Sequence, residues 1–128
     1  MVIGFTGHRD KIANEQSLYR LEERYPGATW IHGGAVGFDT QVNDVGKRLG
    51  KVKGDTLIVI EPEYRLYHPK QAPLFRNMTI VNRCGLLVAC YDGRKTGGTL
   101  YTINYARQTG VPIEYVTPVE TIPVAVKL

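Results

Sequence analysis

"ATWIHGGAVGFDTQVNDVGKRLG" (residues 28–50) decides the fold. Its opening, ATWIH, is an apolar run of the length and composition of a strand buried on both faces. Its second half sets Phe38, Val42, Val45 and Leu49 on one helical face before Gly50 ends the helix. Between the two lie Gly33, Gly34, Gly37 and Asp39. A buried strand, a glycine-rich turn and an amphipathic helix make the repeating unit of a parallel α/β sheet.

The unit recurs on either side. "VIGFT" (2–6) reads as a first strand ending at Gly7, and "NEQSLYRLEERY" as a helix with Leu18, Leu21 and Tyr25 in register, Asn14 as N-cap and Pro26-Gly27 as the stop. Downstream, "TLIVIEP" is a third strand, and Pro62 with "EYRLYHP" opens the longest irregular stretch. "QAPLFRNMTIVNR" then gives a helix with Leu74, Met78 and Val81 on one face and Arg76 and Asn77 off it. "GLLVACY", "DGRKTGGT", "LYTINYARQTG" and "VPIEYV" follow as strand, loop, helix and fifth strand, with Gly110 closing the helix. "ETIPVAVKL" adds an edge strand, the place where Pro123 is tolerated. The expectation is one domain, residues 1–128, with a three-layer Rossmann-like α/β fold and an open, mainly parallel five-stranded sheet. For five such strands the expected order is 3-2-1-4-5.

Composition narrows the class. The chain has 128 residues, enough for one core, with 43% hydrophobic and 22% charged residues. No apolar run approaches the roughly 18 residues of a membrane span and no leader pattern opens the sequence, so the expected setting is cytoplasmic, without a membrane partner. Cys84 and Cys90 bracket an apolar run, as free thiols in a core do, and form no CxxC pair. The net charge of +4 is uneven: between Tyr64 and Tyr91 no acidic residue occurs, while Arg65, Lys70, Arg76 and Arg83 do. Either an anionic partner or a solvated basic face accounts for that asymmetry.

In an open parallel sheet, ligands bind outside the carboxyl ends of the strands. Three loops at that edge are unusual: "TGHR" (6–9), "GGAVGFD" (33–39) and "DGRKTGGT" (92–99). Glycine lets backbone approach a ligand closely, and helix N-terminal N–H groups receive phosphate or carboxylate. Tight strand-to-helix turns also need glycine for their dihedrals alone. Neither standard phosphate motif fits: the second loop is G-G-x-x-G rather than G-x-G-x-x-G, with Glu61 the sole acid near the ribose-binding place, and the third lacks Gly-Lys-Ser/Thr. An ordinary NAD enzyme and a P-loop NTPase are disfavoured, and no cofactor motif is present.

Taken together, "GFTGHR", "HGGAVGFD", "RNMTIVNRCGLLVACYDG" and "TGGTLYTINYA" resemble the SLOG superfamily, the Rossmann-like domains shared by DprA (Smf) and the LOG nucleotide phosphoribohydrolases. The likeness covers about residues 2 to 116. It implies a nucleotide or nucleotide-derived ligand, such as an ADP-ribose-like or cyclic signalling species. By position, Gly33, Gly34, Gly37 and Asp39 match its glycine-rich motif, Arg76 and Asn77 its basic helix motif, and Gly97, Gly98 and Thr99 its second phosphate loop. The LOG pattern P-G-G-x-G-T-x-x-E aligns Thr102 with the glutamate that aids N-glycosidic cleavage, and the proline is also absent. Related domains pair through helices, so the resemblance implies a homo-oligomer.

Several residues carry two readings each. Arg76 suits a bidentate phosphate contact or an amphipathic surface, and Asn77 a ribose or base contact or solvent. Asp39 suits helix capping or ribose binding. Gly7, His8 and Arg9 end the first strand at the centre of the edge, whereas a His8/His32 metal site has no supporting motif. Tyr64, Tyr67, Tyr91 and Tyr101 lie in or beside loops, where stacking on a base competes with plain packing. Three functions follow: a nucleotide-binding sensor or sequestering protein, a nucleotide N-glycosidase using Asp39 or Asp92 in place of the missing glutamate, and a DprA-like single-stranded DNA binder drawing on Arg65 to Arg83.

Overall fold

Strands form where apolar runs can be covered from both sides, and the computed structural model, which describes residues 1–120, shows this arrangement. The chain runs β1 (Val2–Gly7), β2 (Lys11–Ala13), α1 (Glu15–Arg24), β3 (Thr29–His32), α2 (Phe38–Arg48), β4 (Leu57–Val59), α3 (Ala72–Arg83), β5 (Leu86–Cys90), α4 (Gly98–Thr109), β6 (Ile113–Val116) and β7 (Pro118–Glu120). Five strands make one parallel sheet in the order β4-β3-β1-β5-β6. Counting those five alone, this is the expected 3-2-1-4-5 order, and the fold is a Rossmann-like α/β sandwich.

Side chains alternate across the sheet and define two cores. Ile3, Phe5, Trp30, Val88 and Cys90 face α1 and α2, meeting Leu18, Leu21, Phe38, Val42 and Val45. Ile31 and Leu87 face the other side, meeting Ile80, Val81 and Ala106 of α3 and α4. An aromatic cluster anchors the first core: Phe5 lies 5.0 Å from Trp30 and 6.2 Å from Phe38, centroid to centroid. Trimming one such buried ring to alanine costs about 3–5 kcal/mol. Lys51, 3% exposed, closes the layer's far end, giving 2.7 Å to the Ala28 carbonyl and 2.6 Å to Glu22 Oε1, above the Trp30 ring.

Helix ends follow the sequence signals. Asn14 Oδ1 accepts from the Gln16 amide at 3.0 Å, a cap worth about 1 kcal/mol, and Gly110 ends α4 in the left-handed conformation. Cys84 and Cys90 are free and buried, and burial pushes the Cys90 thiol up to about 12.

The structure departs from the sequence reading in three places. Strand β4 is shorter than the expected 56–62 stretch, because it sits at the sheet's edge with one neighbour. β2 and β7 form an unanticipated antiparallel ribbon, with Ile12 opposite Val119, and Gln41 clasps Ala13 by both its amide and its carbonyl. On α3 the deepest residues are Ala72, Ile80 and Val81 rather than the Leu74–Met78–Val81 stripe; Leu74 and Met78 turn toward the cleft and α4. Tyr101 lies in α4, within the helix expected over residues 100–110, and its hydroxyl meets Met78 sulfur at 3.4 Å. The edge strand expected over residues 120–128 falls, beyond Glu120, outside the described residues.

Candidate functional site

The sheet order reverses around β1, and the crevice this leaves opens at the carboxyl ends of β1 and β5. A cleft of about 560 Å³ occupies it, within the range of small-molecule sites. Thr6 to Asp10 form its floor, Ala35 and Asp39 one wall, Lys70, Pro73, Leu74, Arg76 and Asn77 a second, and Arg94 with Gly97 to Thr99 the third. Four chain segments far apart in sequence thus converge.

The glycines of 33–37 stand behind this wall rather than in it. A Cβ on Gly37, whose φ is +83°, would lie 2.5 Å from the carbonyl oxygens of both His8 and Arg9. Glycine there lets the start of α2 rest on the end of β1. Gly33 offers its carbonyl to Arg76 Nη1. Gly34 donates to His32 Nδ1 at 3.0 Å, leaving His32 Nε2–H for Asn43 Oδ1, also at 3.0 Å. The loop is therefore tied from both sides.

Asp39 is the cleft's buried acid, 7% exposed. Its Oδ2 accepts from the Gly33 and Ala35 amides, each at 3.2 Å. Its Oδ1 is buried without a hydrogen-bond partner among the described residues. Desolvation raises its pKa above the ordinary carboxylate value, opposed by His32, the loop amides and Arg76. Capping and ligand contact, posed as rivals by the sequence, fall to different oxygens of one carboxylate.

Arg76 faces Asp39 across the cleft wall. Half-buried, it donates from Nε to Asn77 Oδ1 at 2.7 Å and from Nη1 to Gly33. Burial lowers its pKa, and the Asp39 charge works the other way. Asn77 thus steers the guanidinium as well as bordering the cleft. Opposite, α4 begins at Gly98 after Gly97 as its N-cap, with no side-chain cap and no acid in its first turn. Its first amides and the positive end of its dipole are left for an anion.

The remaining wall is an ion-pair network. Arg94 binds Asp92 at 2.6 Å and Asp10 at 2.9 Å, and His8 Nε2 lies 3.0 Å from Asp92 Oδ1. Arg94 holds Asp92 far below the usual carboxylate range, so this acid is a fixed anion rather than a proton donor. Burial, with Arg94 nearby, lowers the His8 pKa against the pull of Asp92 and Asp10.

Of the residues anticipated from sequence, Gly7, His8, Arg9, Asp39, Arg76, Asn77, Gly97, Gly98 and Thr99 border the cleft; Gly33, Gly34, Gly37 and Asp92 stand behind it. Thr102 is 1% exposed, and its hydroxyl donates to the Gly98 carbonyl at 2.7 Å. Lys70, one of the cations of the basic stretch, borders the cleft as well; Asp10 and Arg94 were missed, although they adjoin or lie in loops already singled out. Arg65 and Arg83 of the basic stretch do not border the cleft. No helix among the described residues is long and apolar enough to cross a membrane. Compared with known proteins, the chain matches no family model and no curated protein.

Proposed function

We propose that the cleft binds a nucleotide or nucleotide-derived ligand, and that the protein is a SLOG-like sensor or sequestering protein. One observation carries this reading: the half-buried Arg76 guanidinium and the uncapped start of α4 border the same cleft as a buried carboxylate. The first two receive an anion such as phosphate; the third receives a neutral donor. A phosphorylated sugar carrying a base presents both kinds of group. The cleft's volume also suits a mononucleotide or somewhat larger ligand.

Hydrolysis is the second reading, favoured by the raised pKa of Asp39 beside the cleft. The burial of Thr102, where the LOG pattern has its glutamate, weighs against it, as does the locked ion pair of Asp92. Isothermal titration calorimetry with AMP, ADP, ADP-ribose and cyclic nucleotides tests binding, and chromatography of the same mixtures for free base tests hydrolysis. Binding without base release is expected, weakened at least about tenfold in Arg76→Ala. If none of these ligands binds, the reading fails.

A further inference from the structure

We infer that Asp39 selects ligands by a sugar hydroxyl, so that the cleft takes ribo- rather than deoxyribonucleotides. The inference rests on the proposed function and adds the feature of the ligand that is read. Asp39 Oδ2 is engaged by the Gly33 and Ala35 amides, whereas Oδ1 is buried and unpartnered in a residue that borders the cleft. A buried carboxylate oxygen without a donor is costly, and native proteins leave few such atoms unpaired.

The neighbours narrow what fills the position. Arg76 does not satisfy Oδ1: its Nε and Nη1 bond Asn77 and Gly33. His32 does not either, as both ring nitrogens are engaged with Gly34 and Asn43. No described residue donates to Oδ1, which leaves the position to a donor from the cleft's occupant. Phosphate oxygens are acceptors, so the anionic end of a ligand is excluded from Oδ1 and belongs with Arg76 or the start of α4. A ribose hydroxyl is a neutral donor that a nucleotide carries beside its phosphate, and it is the group a deoxyribonucleotide lacks.

Asp39→Asn tests the role with little change of shape. The asparagine carbonyl can take over the two loop amides, which turns its NH2 toward the Oδ1 position and replaces an acceptor with a donor. Calorimetry would compare AMP and ADP-ribose with 2′-deoxy-AMP and 3′-deoxy-AMP. In the wild type, at least one deoxy compound should bind about ten- to a hundredfold more weakly than AMP, the range for a hydroxyl bonded to a charged group. In Asp39→Asn that ratio should fall to near unity.

Both deoxy compounds binding within tenfold of AMP would overturn the inference and leave the proposed function standing, as would a ratio that persists in the folded variant. Absence of binding by AMP and ADP-ribose alike would overturn both. Should the variant not fold, a crystal structure of the wild type with AMP decides. A ribose hydroxyl within hydrogen-bond distance of Asp39 Oδ1 supports selection, and water alone at that oxygen refutes it.

Discussion

Replacing Gly33 by alanine should separate binding from folding. Gly33 lies outside the left-handed region, so its backbone accepts an alanine without strain. The new Cβ would sit 2.5 Å from Arg76 Cζ and 2.7 Å from its Nε. Those atoms are the far end of a flexible side chain, so the guanidinium moves and the backbone stays. The fold gains about 0.4–1 kcal/mol from a stiffer unfolded chain. It loses roughly 1.5–3 kcal/mol with the charge-assisted bond from Arg76 to the Gly33 carbonyl. A net loss of about 1–2 kcal/mol lowers the melting temperature by roughly 4–8 °C. Binding suffers more, because the displaced cation no longer meets the ligand's anion: Kd should rise about 10- to 100-fold. Calorimetry with AMP and thermal unfolding on the same preparation measure both. A Gly33→Ala protein that binds like the wild type, or one that fails to fold, would show that Gly33 does not position the guanidinium in this way.

Gly37→Ala should behave in the opposite way. Its Cβ meets backbone carbonyls of His8 and Arg9 at 2.5 Å with φ at +83°, so urea unfolding should show a loss above about 3 kcal/mol. Asp39→Asn should change the pH dependence of stability. Burial raises the Asp39 pKa from 3.8, so its favourable contribution is complete below that value and is lost as pH rises through the raised folded one. Urea titrations from about pH 4 to about pH 7 should show the wild type losing ground to the variant, and a flat difference would contradict this. Thr102→Glu should lose several kcal/mol by burying a carboxylate at a position 1% exposed; chromatography should detect no base release, and hydrolysis would count against the placement.

Much of the fold was legible because its signals are local. Asn14, Gly110 and the apolar strands each specify one element, and the alternation of strands and helices specifies the sheet. The β2–β7 ribbon was not legible: three-residue strands carry no periodicity, and their pairing joins residues 11–13 to 118–120. The site was legible as three loops but not as geometry. Gly33 and Gly37 are glycines for contacts with Arg76 and with the end of β1, neither of which a one-dimensional motif contains. Arg94 was overlooked because its importance lies in Asp10 and Asp92, brought to it by two different strand ends. The two jobs of Asp39 became separable only once its two oxygens had different surroundings.

The proposed nucleotide site is the cleft at the carboxyl edge of the sheet. Amide chemical-shift mapping by NMR during titration with AMP or ADP-ribose tests it most directly. The largest shifts are expected at Gly98 and Thr99, at Gly7 to Asp10 and at Gly33 to Ala35. Shifts confined to the exposed surface around Leu66 and Phe75, or no shifts at all, would contradict it.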